Sequence, residues 1–281
     1  MTVTLGLIQM SMNEDPAANL GKALNLIKKA AKGGARIVCL PELFTSPYFP
    51  QDVKVDASRY AESLAGPTVK ALSKAAAENR VVLVGGSIFE VDGKNFYNTS
   101  VVFDDNGKVL GKYRKVHIPH DPNFYEQNYF TPGEGYSVFE TRYGKIATLI
   151  CYDQWYPEAA RTAALMGAEI IFYPTAIGRV EGVRQVEGDW QDAWTTVQRG
   201  HAIANCVAVA AVNRVGKEGS MQFWGGSFVS SQFGTVLARG SDQEEVVFAK
   251  VSKYMGEFVR EGWRFFHNRR PDTYGRIVER V

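Results

Sequence analysis

Only three cysteines occur in 281 residues, Cys39, Cys151 and Cys206, with no C-x-x-C pair among them. That excludes a disulfide framework and a thiolate zinc site, and makes a reducing cytoplasm the expected compartment. Histidine is also sparse, at four residues, and net charge is nearly absent: 32 Lys and Arg against 30 Asp and Glu leave +2. Phosphate-backbone binding rests on a basic excess that this chain lacks, so nucleic acid is not an expected partner. No apolar run is long enough to span a bilayer, and Met1–Met10 lacks the charged, apolar and small-residue regions of a signal peptide. A composition of 45% hydrophobic and 22% charged residues rules out disorder and fibrous repeats. No Gly/Ser/Pro linker divides the chain, so one domain over 1–281 is expected.

Helices and strands alternate in α/β or α+β style. Val3–Ile8 alternates as a strand, and Asp15-Pro16 then caps a helix with Leu20, Leu24, Ile27 and Ala31 at helical spacing, stopped by Gly33-Gly34. Arg36–Leu40 is a short apolar strand ended by Pro41, with loop from Glu42 to Gln51. A helix is expected over 67–79, strand over 80–90 and 97–103, and a turn at Asp105-Asn106-Gly107 leading into 109–113. The stretch 116–135, rich in Pro, Phe and Tyr, reads as a long ordered loop, a kind that is usually functional. Strand at 145–150, helix at 157–166, strand at 169–173, helix at 189–204 and an apolar run at 206–212 follow, with strands through Phe248. The pattern G-A-x-I-aliphatic-x-x-P occurs twice, from Gly34 and from Gly167, either as convergence of αβ units or as an internal repeat. The segment 253–281 is aromatic and basic and is expected to pack on something.

Cys151 closes an aliphatic strand and opens a turn toward a helix. It is either a nucleophile with a free main-chain N–H beside it or a buried core thiol. Cys39 and Cys206 lie in apolar runs expected to be strands and are better explained as core. A thiol nucleophile needs a base. None of His117, His120, His201 and His267 has the context for it, and His117–Asp121 offers no third ligand for zinc. Glu42, directly after a buried strand and Pro41, is a candidate, because burial raises a carboxyl into the useful range. Lys112–His117 is either a solvated basic strand end or holds one inward lysine. Strand alternation puts Lys115 on the face of Tyr113, where its ammonium would stabilise a thiolate or a substrate oxyanion.

P-E-L-F at 41–44, Y-R-K-V-H-I-P at 113–119 and L-I-C-Y-D-Q-W-Y-P-E-A-A-R at 149–161 together resemble the nitrilase (carbon–nitrogen hydrolase) superfamily, as does R-R-P-D-T-Y-G at 269–275. The resemblance covers essentially the whole chain. It implies a four-layer α-β-β-α sandwich with an internal pseudo-twofold and cysteine-dependent hydrolysis of a non-peptide C–N bond. In this scheme Glu42 is the general base, Lys115 the electrostatic stabiliser, Cys151 the nucleophile and Glu126 a second carboxylate. No metal or organic cofactor is called for, and association into a homodimer or larger even oligomer through 253–281 is implied.

F-Y-E-Q-N-Y-F-T-P-G at 124–133, D-Q-W-Y-P-E-A-A-R and T-A-I-G at 175–178 look most like the branch acting on N-carbamoylputrescine, although Tyr152 stands where that branch is expected to carry Trp. Substrate-binding candidates are Tyr48, Asp121, Tyr152, Thr175 and Glu181. A protonated amine tail needs a buried carboxylate. Asp121 leads, lying between Lys115 and Glu126 in sequence, unless it merely caps a turn beside Pro122. Glu181 and Glu187 are alternatives, and Arg179 and Arg184 would suit a carboxylate tail instead. Other amidases of the superfamily (β-ureidopropionase, ω-amidase, nitrilase) and a non-catalytic binding module are the competing expectations.

Overall fold

The computed structural model describes residues 2–280; Met1 and Val281, the ends of the expected first strand region and last segment, lie outside the described residues. In chain order the first part comprises β1 (Thr2–Gln9), α1 (Pro16–Lys32), β2 (Ile37–Cys39), α2 (Pro67–Asn79), β3 (Val82–Val84), β4 (Ile88–Asp92), β5 (Asn95–Phe103) and β6 (Val109–Arg114). The second comprises β7 (Val138–Thr141), β8 (Gly144–Thr148), α3 (Pro157–Leu165), β9 (Ile170–Pro174), β10 (Gly178–Val180), α4 (Trp190–Asn205), β11 (Ala208–Val212), β12 (Val215–Glu218), β13 (Met221–Trp224), β14 (Phe228–Ser230), β15 (Val236–Arg239), β16 (Glu245–Ser252) and α5 (Lys253–Trp263).

One sheet runs β16-β1-β2-β3-β5-β4 with β6 also on β5; the other runs β15-β14-β11-β9-β8-β7; β10, β13 and β12 form a small third sheet. The pairs β1–β2 and β2–β3 are parallel, as are β8–β9 and β9–β11. Each half therefore carries the same β-α-β-α-β unit, and the repeated Gly-Ala pattern stands before its middle strand both times. Gly34 and Gly167 have φ of +92° and +101°, a backbone that glycine adopts without strain just past a helix end.

Burial arranges these units as a four-layer α-β-β-α sandwich. Leu5, Leu7, Ile37 and Cys39 meet Phe172, Ala208, Ala210 and Val212 between the sheets. Ile27, Ala30, Leu72 and Ala76 of α1 and α2 cover Ile8, Val38 and Leu83, while the alanines of α3 and α4 cover Ala147, Ile171 and Val209 on the opposite outer face. Inner strands covered on both faces read as continuous apolar runs, which is why β2, β9 and β11 are wholly buried.

Several expectations need correction. Helix α1 starts as read, its Asp15 side chain accepting the Ala17 N–H. Its buried stripe is Asn19, Ala23, Ile27 and Ala30, with Leu20, Leu24 and Ala31 only partly buried at the edges. The strand expected over 80–90 is split into β3 and β4 by Gly85-Gly86; Gly86 has φ of +60°, and a Cβ there would stand 2.2 Å from the Pro41 carbonyl oxygen. Cys206 is buried but caps the end of α4 in a left-handed conformation, φ +51°, instead of lying in a strand. The edge strand β7 is an addition to the elements expected from sequence. The segment after β16 does pack, in part, on its own chain: Trp263 stacks on Phe233 at 5.5 Å, and Phe266 lies between the guanidinium groups of Arg161 and Arg260 at 5.1 and 5.0 Å. Tyr254, Phe258, Ile277 and Val278 stay exposed. No helix among the described residues is long and apolar enough to cross a membrane.

Candidate active site

The loops leaving β2, β6 and β8 converge on one fully buried cluster. Glu42 follows β2, Lys115 follows β6, and Glu126 opens a short 3-10 turn in the long loop beyond it. The Lys115 ammonium lies 2.9 Å from Glu42 Oε1 and 2.8 and 2.7 Å from the two oxygens of Glu126. Burial works against its charge, but Glu126 and Glu42 outweigh that and hold the ammonium above its ordinary value. Burial pushes the Glu126 carboxyl up to about 7, Lys115 opposing and Glu42 adding to the rise. Asn98 donates to Glu42 Oε1 at 2.8 Å. Glu42 Oε2, also buried, has no partner among the described residues, so one carboxylate oxygen is left to take a proton.

Cys151 begins a 3-10 turn, Cys151–Trp155, immediately beyond β8. Its φ is +44°, an uncommon conformation for a residue with a side chain, and a recurring one where a nucleophile is presented at a sharp turn. The first N–H groups of such a turn have no acceptor within it, which leaves the Tyr152 N–H to meet an oxyanion. Burial pushes the Cys151 thiol well above its ordinary value; Glu42 adds to the rise and Lys115 opposes it. The resting thiol is therefore protonated, and a buried carboxylate with an unoccupied oxygen is the group that chemistry requires.

Supporting residues that sequence reading missed come from distant parts of the chain. Arg214, fully buried after β11, pairs with both oxygens of Glu218 at 2.8 Å and donates to the carbonyls of Glu42 and Leu43 at 2.8 and 2.9 Å. It thereby braces Leu43, whose φ is +46° and whose N–H donates to the Ser87 hydroxyl. Glu218 also accepts the Tyr48 N–H at 2.6 Å, and the Tyr48 hydroxyl donates to Glu126 at 2.7 Å. One ion pair thus supports both acidic members of the cluster. An Arg followed by a strand turn is a weak signal in sequence, since its partners lie some 170 residues earlier.

The structure brings Tyr48 to the cluster but uses its hydroxyl on Glu126. Thr175 is buried, its hydroxyl donating to the Tyr173 carbonyl. Tyr152 is half-buried next to Cys151. Burial pushes its phenol up, and Tyr156 and Asp121 beside it add to the rise. Asp121 itself is exposed, in a tight backbone exchange with Phe124, so any amine it meets is met at the rim and not in a buried pocket. Glu181 is exposed and paired with Lys217 at 2.7 Å. Glu187 accepts the Trp190 indole N–H, and Arg179 and Arg184 are exposed. Of the histidines, His117 is held by Asp153 and His201 by the Gln154 carbonyl.

The Tyr48 hydroxyl favours the ionised form of Glu126, and the ionised form is the one that grips Lys115. Tyr48→Phe should raise the Glu126 pKa further, moving the acidic limb of the kcat/KM–pH profile to higher pH while activity well above that limb is largely kept. A profile superimposable on that of the unaltered protein would show that Glu126 does not set this limb.

The model of the carbon-nitrogen hydrolase family matches residues 4–260. Over 97% of this chain and 93% of its own length, an N-carbamoylputrescine amidase of Solanum lycopersicum is 40% identical. A citrullinase of Francisella tularensis is 36% identical over 99% of both chains, and an omega-amidase of Xenopus laevis is 37% identical over 96% of both. Among solved structures, a carbon-nitrogen hydrolase from Helicobacter pylori G27 superposes with a TM-score of 0.95 at 39% identity, covering 100% of both chains. A glutamate-to-glutamine mutant of an amidase from Nesterenkonia sp. AN1, 25% identical with a TM-score of 0.80 over 99% of this chain and 97% of its own, carries the acetamide moiety of fluoroacetamide added covalently at its active-site cysteine. With the matched family model spanning most of its length and the sandwich reproduced in full, this chain belongs to the carbon–nitrogen hydrolase family.

Proposed function

We propose that the protein hydrolyses the ureido C–N bond of N-carbamoylputrescine, giving putrescine, carbon dioxide and ammonia, with Glu42, Lys115 and Cys151 as the catalytic triad and Glu126 as its second carboxylate. The observation that carries the chemistry is the buried Lys115 ammonium between two carboxylates, one of which keeps an unpartnered oxygen. Glu42 Oε2 takes the Cys151 proton as sulfur attacks the carbamoyl carbon. The oxyanion is held by Lys115 Nζ and the Tyr152 N–H. The proton on Glu42 passes to the leaving ammonia as its C–N bond breaks. Water deprotonated by the same carboxylate hydrolyses the resulting thiocarbamate and returns the thiol, and the released carbamic acid loses carbon dioxide to give putrescine.

Cys151→Ala should abolish ammonia release without unfolding the chain. Glu42→Gln and Lys115→Ala should each be severely impaired, and the double variant little worse than either, because groups acting as a unit lose most activity together. Additive losses would mean that the triad is misassigned. A thiol alkylator should modify Cys151 faster than Cys39 or Cys206; equal rates would favour an inert binding module.

The substrate reading is supported by the 40% identity to the tomato enzyme and by Asp121 at the rim beside Tyr152. Citrulline shares the ureido end but has an amino-acid tail, and Arg179 and Arg184, which form no ion pair among the described residues, would suit its carboxylate. A panel of N-carbamoylputrescine, citrulline and ω-amides, scored for ammonia, separates these. Asp121→Asn should lower kcat/KM for the diamine derivative by about two- to fivefold, as for an exposed ion pair, and leave a neutral analogue unchanged. Equal losses on both would show that Asp121 only holds its turn, and wild-type preference for citrulline would remove the diamine assignment.

We infer further that the chain forms one domain whose segment 253–281 lies at a subunit interface, since Tyr254, Phe258 and Ile277 leave apolar faces exposed on a single copy. Light scattering should give a dimer or a larger even assembly. A fully active species at 31.2 kDa would assign the segment to its own subunit.

A further inference from the structure

The residues two before and two after Lys115 both reach the carboxylate two residues after Cys151. The Tyr113 hydroxyl donates to Asp153 Oδ2 at 2.7 Å; the His117 N–H donates to Oδ1 at 3.0 Å, and its ring Nδ1 lies 2.7 Å from the same oxygen. The Ile150 N–H, just ahead of the nucleophile, donates to Oδ2 at 2.8 Å. Asp153 is fully buried, so its oxygens serve these groups and no water. His117 is also stacked on Tyr156, ring centroids 3.7 Å apart and planes 6° from parallel, while the Tyr156 N–H donates to the Asp153 carbonyl at 3.1 Å. Both ends of the turn that holds Cys151 in its left-handed conformation are thereby pinned to the strand end that carries Lys115.

We propose that Asp153 is a positioning residue of the reaction. It touches no reacting atom. It ties the nucleophile turn to β6 so that Cys151 Sγ and Lys115 Nζ face the same substrate carbon, a role that rests on the triad reading above. Tyr113 stands two residues before Lys115 at the end of β6, so strand alternation puts its side chain on the lysine's face, and His117, in the bend just beyond, reaches the same carboxylate through its N–H and ring. A carboxylate with two oxygens can accept from four donors. The substitution Asp153→Asn would turn an amide N–H₂ toward two of them, break the tie on one side, and leave the volume unchanged.

In Asp153→Asn, kcat should fall by about 100-fold with KM within about threefold of the parent, the signature of a misplaced but still accessible site. Iodoacetamide should alkylate Cys151 about tenfold more slowly at the same pH, reporting the displaced sulfur without any substrate. Tyr113→Phe removes a single donor and carries the test if the asparagine variant fails to fold. It should lower kcat by about tenfold, and the double variant should be no worse than Asp153→Asn alone, since both act through one carboxylate. A kcat within about twofold of the parent in the folded variants would overturn the proposal, as would a raised KM with unchanged kcat, which marks a substrate contact. Failure of the underlying reading is visible separately, because Cys151→Ala would then remain active.

Discussion

The placement of one ammonium group away from all water is the constraint around which the site is built. Lys115 is tolerated at full burial only because two carboxylates meet it. Removing one partner from such a buried set typically costs roughly 3–5 kcal/mol, because the remaining charge is stranded. Two carboxylates and one ammonium would carry a net negative charge if all were ionised, and the rise of Glu126 is the physical response: burial and the Glu42 charge favour a proton on it, against the pull of Lys115. The cluster can therefore hold one additional proton at little electrostatic cost. That property suits a site in which a thiol proton must be taken up and then returned to a leaving nitrogen.

Precision in this cluster depends on two backbone distortions, at Leu43 and at Cys151, both in the left-handed region without being glycine. The first is held by a side chain remote in sequence, the second by one inside its own turn. Arg214 grips the carbonyls of Glu42 and Leu43, and Asp153 gathers the chain around the elbow. Strain of this sort persists only where the surroundings over-determine it. The internal repeat shows why chemistry is not duplicated. Glu42 follows the middle strand of the first unit, where Thr175 stands in the second, whereas Cys151 follows the first strand of the second unit, where Met10 and Ser11 stand in the first. One reactive site is assembled from non-equivalent corners of two similar units.

These positions also explain what could be read from sequence. Glu42 and Cys151 each stand at the end of an apolar strand beside a Pro or a turn, and Lys115 at the end of a mixed, basic strand, and their combination in three ordered motifs carries the family resemblance. The helices from Pro67 to Asn79 and from Trp190 to Asn205 are legible from their caps and breaks. Arg214, Asn98 and Asp153 are not marked by local pattern, because what matters in each is a partner across the fold: Arg214 and Glu42 are brought together only by the packing of the two halves. Cys206 illustrates a local limit. An apolar run starting with cysteine reads as strand from its first residue, but the helix before it ends in that residue with φ of +51°. In the same way, paired glycines at 85 and 86 break a run whose hydrophobicity alone predicts continuity.

The division between buried chemistry and an exposed rim bears on how substrates are distinguished. Tyr48 and Thr175, the buried candidates for binding, spend their hydroxyls on Glu126 and on the Tyr173 carbonyl. Tyr48 thereby supports the carboxylate that meets Lys115. The charged candidates Asp121, Glu187, Arg179 and Arg184 are exposed, and Tyr152 is half-buried. Charges there can be exchanged at small cost to stability, because water screens them and no buried partner is stranded. A buried cluster of this kind can therefore be kept intact while exposed charges change. That is the physical condition under which proteins named for carbamoylputrescine, citrulline and ω-amide hydrolysis can share one architecture at 36–40% identity to this chain.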